Sequence, residues 1–414
     1  MCAWATLSML LSLPMLATAQ PPPESAATNW LSPALTYDGT VLGNLRGGAR
    51  RGSAYVGNLH LRATAQGDGI GWLGTTAYLD VLNIHGGRPS RLVGDAQGTS
   101  NLEGPTGTQV EELWVQHNIA NSTASLLVGI YDLNSEFYRL QAAGLFLASS
   151  FGLGPEFAQS GLEGPSIFPR TSAGLRFAFK PTPDTVLRTA LLDGVPVVRP
   201  DGSRAVFRGG DGLLAVGEIA MLSRGEGGSS PAAGMRDRIG RFSSLSPYDD
   251  KLALGLWHYT GRLADLADTD AAGKPRSRRG SSGAYAVGER LLIGDATSAR
   301  RLAGFAQIGI GDAKVNRFGS YLGAGLVTSG WAMMKESDQV GISVAHARNG
   351  SHYRRALSAG GADRAETSFE LSYLTQISKF VSLQPDLQYV VHPNTDPAIA
   401  NAWVLQLRFE VAFK

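Results

Sequence analysis

The sequence has one cysteine, Cys2, and few charged residues. One cysteine cannot build a disulfide framework within the chain, and a structural zinc site based on thiolates needs several. Charged residues make up 17% of the chain, against about 25% in a typical soluble domain, so long solvated helices are not expected. The 37 basic and 35 acidic residues leave a net charge of +2. This balance argues against a nucleic-acid partner.

Long hydrophobic runs are also scarce. Beyond residue 19 no uncharged apolar run reaches the roughly 18 residues that a membrane helix requires. The apolar stretch at 4–16 is followed by Ala17-Thr18-Ala19, a pattern typical of signal-peptide cleavage. We therefore predict a signal peptide over residues 1–19, which would remove Cys2, a periplasmic leader over 20–30 and one barrel domain over 31–414.

The sequence lacks the motifs of common enzymes and metal sites. Its seven histidines are dispersed, and none forms the spaced pair that binds a metal on a helix. It has neither a Gly-x-Ser-x-Gly elbow nor a Gly-rich loop followed by Lys-Ser or Lys-Thr. We predict no catalytic residues, no metal, no cofactor and a function that is not enzymatic.

The most regular pattern is an alternation of apolar and polar residues. At the end of the chain, alternate residues from Trp403 to Phe413 are all apolar, and those between them are mostly polar or charged. Successive side chains of a strand point to opposite faces, so this stretch is predicted to be a strand with one apolar face. Large apolar side chains with aromatics near both ends are typical of a strand that faces lipid, although a soluble sandwich can show the same alternation.

The alternation predicts sixteen strands in all. They start near residue 35 and continue over 55–66, 72–84, 109–118, 124–131, 171–180, 185–193, 212–223, 251–261, 283–293, 302–311, 319–328, 339–347, 367–377, 381–391 and 403–413. An even number of strands is what a closed bacterial barrel requires, and about sixteen leave a water-filled lumen.

The connections support a barrel as well. Long ones at 85–108, 132–170, 194–211 and 348–366 all follow odd-numbered strands, and only 224–250 is long on the other side. This sorting favours an all-β fold, a transmembrane antiparallel β-barrel of about sixteen strands, over a soluble protein. The longest connection, 132–170, follows the fifth strand and contains apolar residues of its own. Loops of this length are usually functional, so we expect it to fold inward and narrow the lumen.

Five motifs occur in a fixed order along the chain. They are Tyr37-Asp38-Gly39, Glu111–Gln116, Val128–Phe137, Gly164–Pro169 and Leu383–Pro393. In this order they resemble the carbohydrate-selective outer-membrane porins, the OprB-type family of Gram-negative bacteria, over about residues 30–413. The resemblance implies a sixteen-stranded barrel that passes monosaccharides and related sugars by facilitated diffusion.

A sugar-conducting lumen needs hydrogen-bonding groups, fixed charges of both signs and an aromatic face for stacking. The inward positions of the predicted strands and the long connection supply such groups. The candidates for the pore lining and constriction are Asn58, His60, Arg62, Glu112, Trp114, Gln116, Asn134, Glu136, Arg176, Arg188 and Glu218. Trp114 is the candidate stacking platform, unless its side of the strand is misassigned. For each candidate, the alternative is that polar side chains line any water-filled barrel.

The basic cluster Arg276-Ser277-Arg278-Arg279 falls in a predicted outer loop. It is interpreted either as a solvated surface or as a contact for lipopolysaccharide phosphates.

The predicted function is therefore facilitated diffusion of small carbohydrates across the bacterial outer membrane. The alternatives are a general diffusion porin, an outer-membrane barrel enzyme such as a lipase, and a soluble or surface-attached glycan binder. The predicted partners are carbohydrate solutes, outer-membrane lipids and lipopolysaccharide, and the barrel-insertion machinery. The chain could be a monomer or a homotrimer.

Overall fold

The computed structural model describes residues 30–119, 122–196, 207, 210–223, 250–294, 298, 300–331, 335, 338–357 and 361–413. Within this part of the chain, sixteen β-strands form one closed antiparallel barrel. Each strand pairs with its neighbours in sequence, and the first pairs with the last. The predicted fold class is confirmed. Among the described residues, no helix is both long enough and apolar enough to span a membrane.

The elements have the following bounds. The strands are β1 (Leu31–Gly48), β2 (Gly52–Gln66), β3 (Thr75–Gly86), β4 (Gly107–Ile119), β5 (Ala124–Tyr131), β6 (Ser172–Thr182), β7 (Thr185–Asp193), β8 (Leu213–Ser223), β9 (Asp250–Thr269), β10 (Pro275–Ile293), β11 (Arg301–Gly311), β12 (Phe318–Ser329), β13 (Gln339–Asn349), β14 (Ala365–Gln376), β15 (Val381–Val391) and β16 (Ala400–Phe413). The short helices are α1 (Ser90–Val93), α2 (Pro155–Ala158) and α3 (Ser351–Ala356), with 3-10 turns at Gly67–Ile70, Leu133–Ser135, Ala142–Leu145, Ser149–Phe151 and Pro393–Thr395.

Every predicted strand overlaps one of these, but β9 and β10 are longer than expected. The sequence analysis ended the ninth strand near residue 261 and began the tenth near 283, whereas the structure joins the two strands by a hairpin over 269–275. The basic cluster 276–279 therefore lies in β10, and its assignment to a loop was wrong. The apolar alternation fades there because this part of the hairpin no longer lies in the closed wall, so the pattern gave no signal for it.

The outer face of the barrel is apolar. On β16, Trp403 and Leu405 are 41% and 49% exposed, whereas Gln406 and Arg408 on the opposite face are 1% and 4% exposed. A protein that folds in water buries its apolar residues and exposes its charges, so this distribution is inverted. It is the distribution of a barrel surrounded by lipid.

The two ends of the barrel differ. Long connections at 87–106, 132–171, 194–212, 350–364 and 392–399 share one end, which we call the loop end. Short connections at 67–74, 183–184 and 377–380 lie at the opposite end, the turn end. The predicted insertion at 224–250 falls, apart from Asp250, outside the described residues. The predicted signal peptide 1–19 and the leader, apart from Trp30, also lie outside them.

The connection at 132–171, here called the inner segment, lies inside the barrel. Its apolar side chains pack against rings that point inward from the wall. Phe157 stacks on Trp257 with ring centroids 4.9 Å apart, and Phe146 lies 5.7 Å from Phe305. The resulting core fills the lumen along β7–β14. The open space of the lumen therefore lies mainly in the other half of the barrel.

Candidate functional site

A cavity of about 830 Å³, lined by many charged and polar side chains, runs between the inner segment and the opposite wall. Its lining comes mostly from β1–β7, β16 and the inner segment. We call this cavity the passage. Strand alternation explains the polar wall, because the residues between the lipid-facing apolar positions all point inward.

The passage carries charges of both signs in equal number. Among the described residues, seven arginines and lysines and seven aspartates and glutamates line it. The basic residues are Arg62, Arg139, Arg176, Lys180, Arg188, Lys251 and Arg408, and the acidic ones are Asp38, Asp80, Glu103, Glu111, Asp132, Glu136 and Glu410. Their formal charges cancel, so the lining as a whole favours neither cations nor anions.

One charge network joins β2 to β3. His60 and Arg62 lie on the same face of β2, and Arg62 is in register with Asp80 on β3. Arg62 Nε donates to Asp80 Oδ2 over 2.8 Å, and His60 Nδ1 lies 3.0 Å from both Asp80 oxygens. Glu111 Oε2 is 3.7 Å from the same imidazole nitrogen. His60, Asp80 and Glu111 are groups that can bind a divalent metal, but Arg62 already supplies a positive charge to Asp80.

Glu111 was missed by the sequence analysis. The pairing of β3 with β4 shifts between Asp80 and Val81, so that Glu112 is opposite Asp80 and Val110 is opposite Val81. This bulge lets both Glu111 and Glu112 face the lumen, although strict alternation allows only one of them. Two adjacent acidic residues within a strand were the available signal.

A second network joins the wall to the inner segment. Arg176 on β6 lies with its Nε 2.8 Å from Glu136 Oε2, and its Nη1 donates to Ser125 Oγ over 2.6 Å. Its Nη2 donates to Gln116 on β4. Burial alone would raise the pKa of Glu136, but Arg176 and Arg188 outweigh it and hold that pKa below its ordinary value. The network thus fixes a charged pair beside the passage.

Arg188 and Glu218 form a third pair, in register across β7 and β8. Arg188 Nη1 donates to Glu218 Oε1 over 3.2 Å. The other carboxylate oxygen accepts from the backbone N–H of Tyr138 and from the hydroxyl of Tyr285, each at 2.8 Å. Glu218 therefore connects the wall to the inner segment.

The structure divides the predicted site residues into two groups. Those that line the passage are Asn58, His60, Arg62, Gln116, Asn134, Glu136, Arg176 and Arg188. Glu112, Trp114 and Glu218 point inward but do not line it. Glu112 Oε1 accepts from the backbone N–H of Asp132 over 3.1 Å.

Trp114 is on the side of the strand that the sequence analysis assigned to it. It is buried between the outward-facing Leu113 and Val115. Its ring stacks on Tyr78 at 5.1 Å, and it is Tyr78 that lines the passage. The prediction that the ring of Trp114 itself faces the passage is therefore corrected. The ring that faces the passage is that of Tyr78, and Trp114 lies behind it.

Several wall residues that hold the inner segment were also missed. The carboxylate of Glu289 on β10 accepts from the backbone N–H groups of Gln141 and Ala142, at 2.9 and 2.8 Å. Glu370 on β14 does the same for Leu147 and Ala148. Further contacts run from Lys251 to Arg139, from Gln307 to Phe151 and from Gln384 to Leu145, each from a side chain to a backbone carbonyl. An inward polar residue is visible in the sequence, but its backbone partner is not.

Comparisons with known proteins agree with this architecture. The profile of the carbohydrate-selective porin family OprB matches residues 50–413. OprB from Pseudomonas putida, in its high-pH structure, is similar with a TM-score of 0.77 and 19% identity, covering 92% of this chain and 94% of that one. The low-pH structure gives 0.54 and 16%, with 92% of each chain covered. The outer-membrane channel DcaP of Acinetobacter baumannii gives 0.50 and 9%, with 92% and 97% covered. No curated protein matches the chain.

Proposed function

The chain belongs to the OprB family of carbohydrate-selective porins, and from this premise we propose that it conducts monosaccharides and related small carbohydrates by facilitated diffusion through the passage. It is a channel of the bacterial outer membrane. No energy source is involved, because solutes move down their own concentration gradient.

The observation that carries the proposal is the balanced charge of the residues that line the passage. Sugars are neutral and present hydroxyls around their rings, so they gain from donors and acceptors at many positions. A lining with a net charge would favour ions of the opposite sign, whereas here seven basic residues and seven acidic ones balance among the described residues. The inner segment fills the other half of the lumen, so a solute must move close to these groups.

We assign the constriction to the charge networks on either side of the passage. Arg62 with Asp80 and Arg176 with Glu136 supply fixed donors and acceptors. Asn58 adds an amide that lines the passage and is fully buried, and neither of its polar atoms bonds to any described residue. In this assignment Glu112 and Glu218 position the inner segment.

A general diffusion porin without sugar preference is the main alternative. Its lumen would be as polar, so only relative permeation rates distinguish it. The family and the fold point to a channel and not to the barrel enzyme.

We further propose that residues 1–19 are a signal peptide and that lipids cover the outward apolar faces. We also propose that the barrel-insertion machinery places the chain in the membrane. The chain could be a monomer or a homotrimer, and light scattering of the purified protein distinguishes the two.

The proposal is tested by liposome swelling with the purified, refolded chain. Swelling is compared for glucose, a neutral non-sugar solute and an amino acid of similar size. Heat-modifiable migration in a detergent gel serves as the folding control. Faster swelling in glucose supports a sugar-selective pore. Equal rates would reduce the function to general diffusion, and no swelling from a folded barrel would overturn the transport function.

A further inference from the structure

The hairpin formed by β9 and β10 extends past the rest of the barrel wall. Pairing of β9 with β8 ends at Tyr259, and pairing of β10 with β11 ends at Gly283. Beyond these residues the two strands pair only with each other. We call residues 260–281 the outer hairpin. It stands at the loop end and has one face toward the barrel axis and one face away from it.

The charges on its inward face are paired. Asp265 accepts from Arg278 Nε and lies 2.8 Å from His352 Nδ1 on α3. Asp268 accepts from Arg278 and from Arg355, at 3.0 and 2.7 Å. These bonds hold the hairpin against α3. Asp265 and Asp268 therefore already have basic partners.

The outward face carries an arginine pair with no such partner. Arg262 on β9 and Arg279 on β10 are directly opposite each other. Their neighbours Leu263 and Arg278 turn inward, so both arginines point away from the barrel, and both are exposed. No ion pair joins either one to an acidic residue in the described part of the chain. Like charges directly opposite on a strand pair are destabilising, so an anion bound between them would stabilise the hairpin.

The level of the pair relative to the lipid follows from the strand. Leu256 and Ile310, which are 67% and 56% exposed, mark the upper part of the outward apolar face. Arg262 lies six residues beyond Leu256, roughly 20 Å along a strand. With the usual tilt of about 40°, this is roughly 15 Å along the membrane normal. The arginines therefore lie above the hydrocarbon, in the polar layer of the outer leaflet.

We propose that Arg262 and Arg279 bind the phosphate groups of lipopolysaccharide. Phosphate is the anion that a guanidinium binds with two parallel hydrogen bonds, and phosphorylated glycolipid is the anionic component that meets a barrel at this level. The site rests on the outer-membrane location and is independent of what the passage conducts. Its occupant holds the outer hairpin from outside, while α3 holds it from inside.

The test uses the full-length folded chain and three probes. They are lipopolysaccharide with phosphorylated lipid A and core, the same material after enzymatic removal of its phosphates, and inorganic phosphate. Binding is measured by titration calorimetry in detergent for the native chain and for Arg262→Gln/Arg279→Gln. The control is Arg290→Gln/Arg300→Gln, which removes two exposed charges at the turn end. Heat-modifiable migration and glucose swelling are recorded for each variant.

We expect the first variant to bind phosphorylated lipopolysaccharide about 30-fold more weakly, from about 1 kcal/mol for each arginine near an anionic surface. The control variant should bind as the native chain does, and swelling should not change in any of them. Equal binding by the first variant, or equal binding of the dephosphorylated material by the native chain, would overturn the proposal. The proposal would also be overturned if millimolar inorganic phosphate displaced lipopolysaccharide from the site as effectively as unlabelled lipopolysaccharide does. The site would then bind anions in general.

Discussion

Arg176 on β6 and Glu136 in the inner segment meet as an ion pair, with Nε and Oε2 2.8 Å apart. Their side chains are 1% and 13% exposed. A buried charge that loses its partner is strongly unfavourable, so this pair fixes the edge of the inner segment against the wall. It also sets one cation and one anion side by side in the lining of the passage.

Replacing Glu136 with Gln should make the channel prefer anions. The substitution keeps the shape of the side chain but leaves seven basic and six acidic residues in the described lining. One uncompensated charge near the path of an ion is worth about 1 kcal/mol, or roughly a fivefold change in relative permeability. The measurement is the reversal potential of a planar bilayer in a potassium chloride gradient. Glu163→Gln is the control, since Glu163 is exposed, pairs with Arg170 and does not line the passage. An unchanged reversal potential for Glu136→Gln would place the constriction elsewhere.

Replacing Glu289 and Glu370 with Gln should loosen the inner segment and admit larger solutes. Each carboxylate accepts two backbone N–H groups, and an amide can accept with only one of its two polar atoms. The cost is about 1–3 kcal/mol for each buried donor left without an acceptor. The check is the ratio of swelling rates in a disaccharide and in glucose, which should rise. Glu163→Gln/Asp270→Asn, with two substitutions of the same kind in exposed positions, should keep the native ratio. A double variant with that native ratio would show that these carboxylates do not hold the segment.

The packing of the inner segment should weaken as the pH rises toward neutrality. Glu156 on α2 is fully buried, and it accepts a hydrogen bond from the hydroxyl of Tyr138 over 3.3 Å, with Tyr321 also facing it. Burial raises the pKa of Glu156 from 4.5 to about 7. Because the packed state binds this proton more tightly, its stabilisation is complete below about pH 4.5 and is lost as the pH rises through about 7. The loss is at most roughly 3 kcal/mol.

Hydrogen-exchange protection factors of residues 150–160, measured at pH 5 and pH 7.5, test this expectation. They should fall with rising pH in the native chain and in Glu163→Gln, and they should not change in Glu156→Gln. If Glu156→Gln shows the same fall as the native chain, another group is responsible.

Replacing Asn58 with Leu should stabilise the barrel and leave its preference for sugars unchanged. The buried amide has no hydrogen-bond partner among the described residues, and removing such a polar group from a buried site is favourable. Because Asn58 has no exposed surface, a passing sugar does not reach its amide. We expect a higher unfolding temperature in detergent together with the native ratio of glucose to non-sugar swelling. Asn118→Leu is the control for stability, because Asn118 Oδ1 accepts from Gln116 over 3.1 Å and its loss should destabilise. A lower unfolding temperature for Asn58→Leu would show that the native amide is stabilising.

The alternation of residues was sufficient to predict the barrel. Each predicted strand overlaps an observed one, and the faces assigned to Arg62, Trp114 and Arg176 are the inward ones. Alternation is informative here because each strand lies between lipid and a polar interior, so the two sets of side chains differ strongly in hydrophobicity. Where that contrast ends, in the outer hairpin, the strand bounds of β9 and β10 could not be predicted.

The sequence by itself thus determined the strands, their inward faces and the family, since these depend on local pattern and ordered motifs. Only the tertiary structure decided which inward side chains line the passage and which hold the inner segment. Glu218 and Arg188 are adjacent across a strand pair, yet one bonds to the backbone of Tyr138 and the other lines the passage. The path of the inner segment makes that difference. It is fixed by packing among rings and by hydrogen bonds between residues far apart in the chain, which no periodicity records.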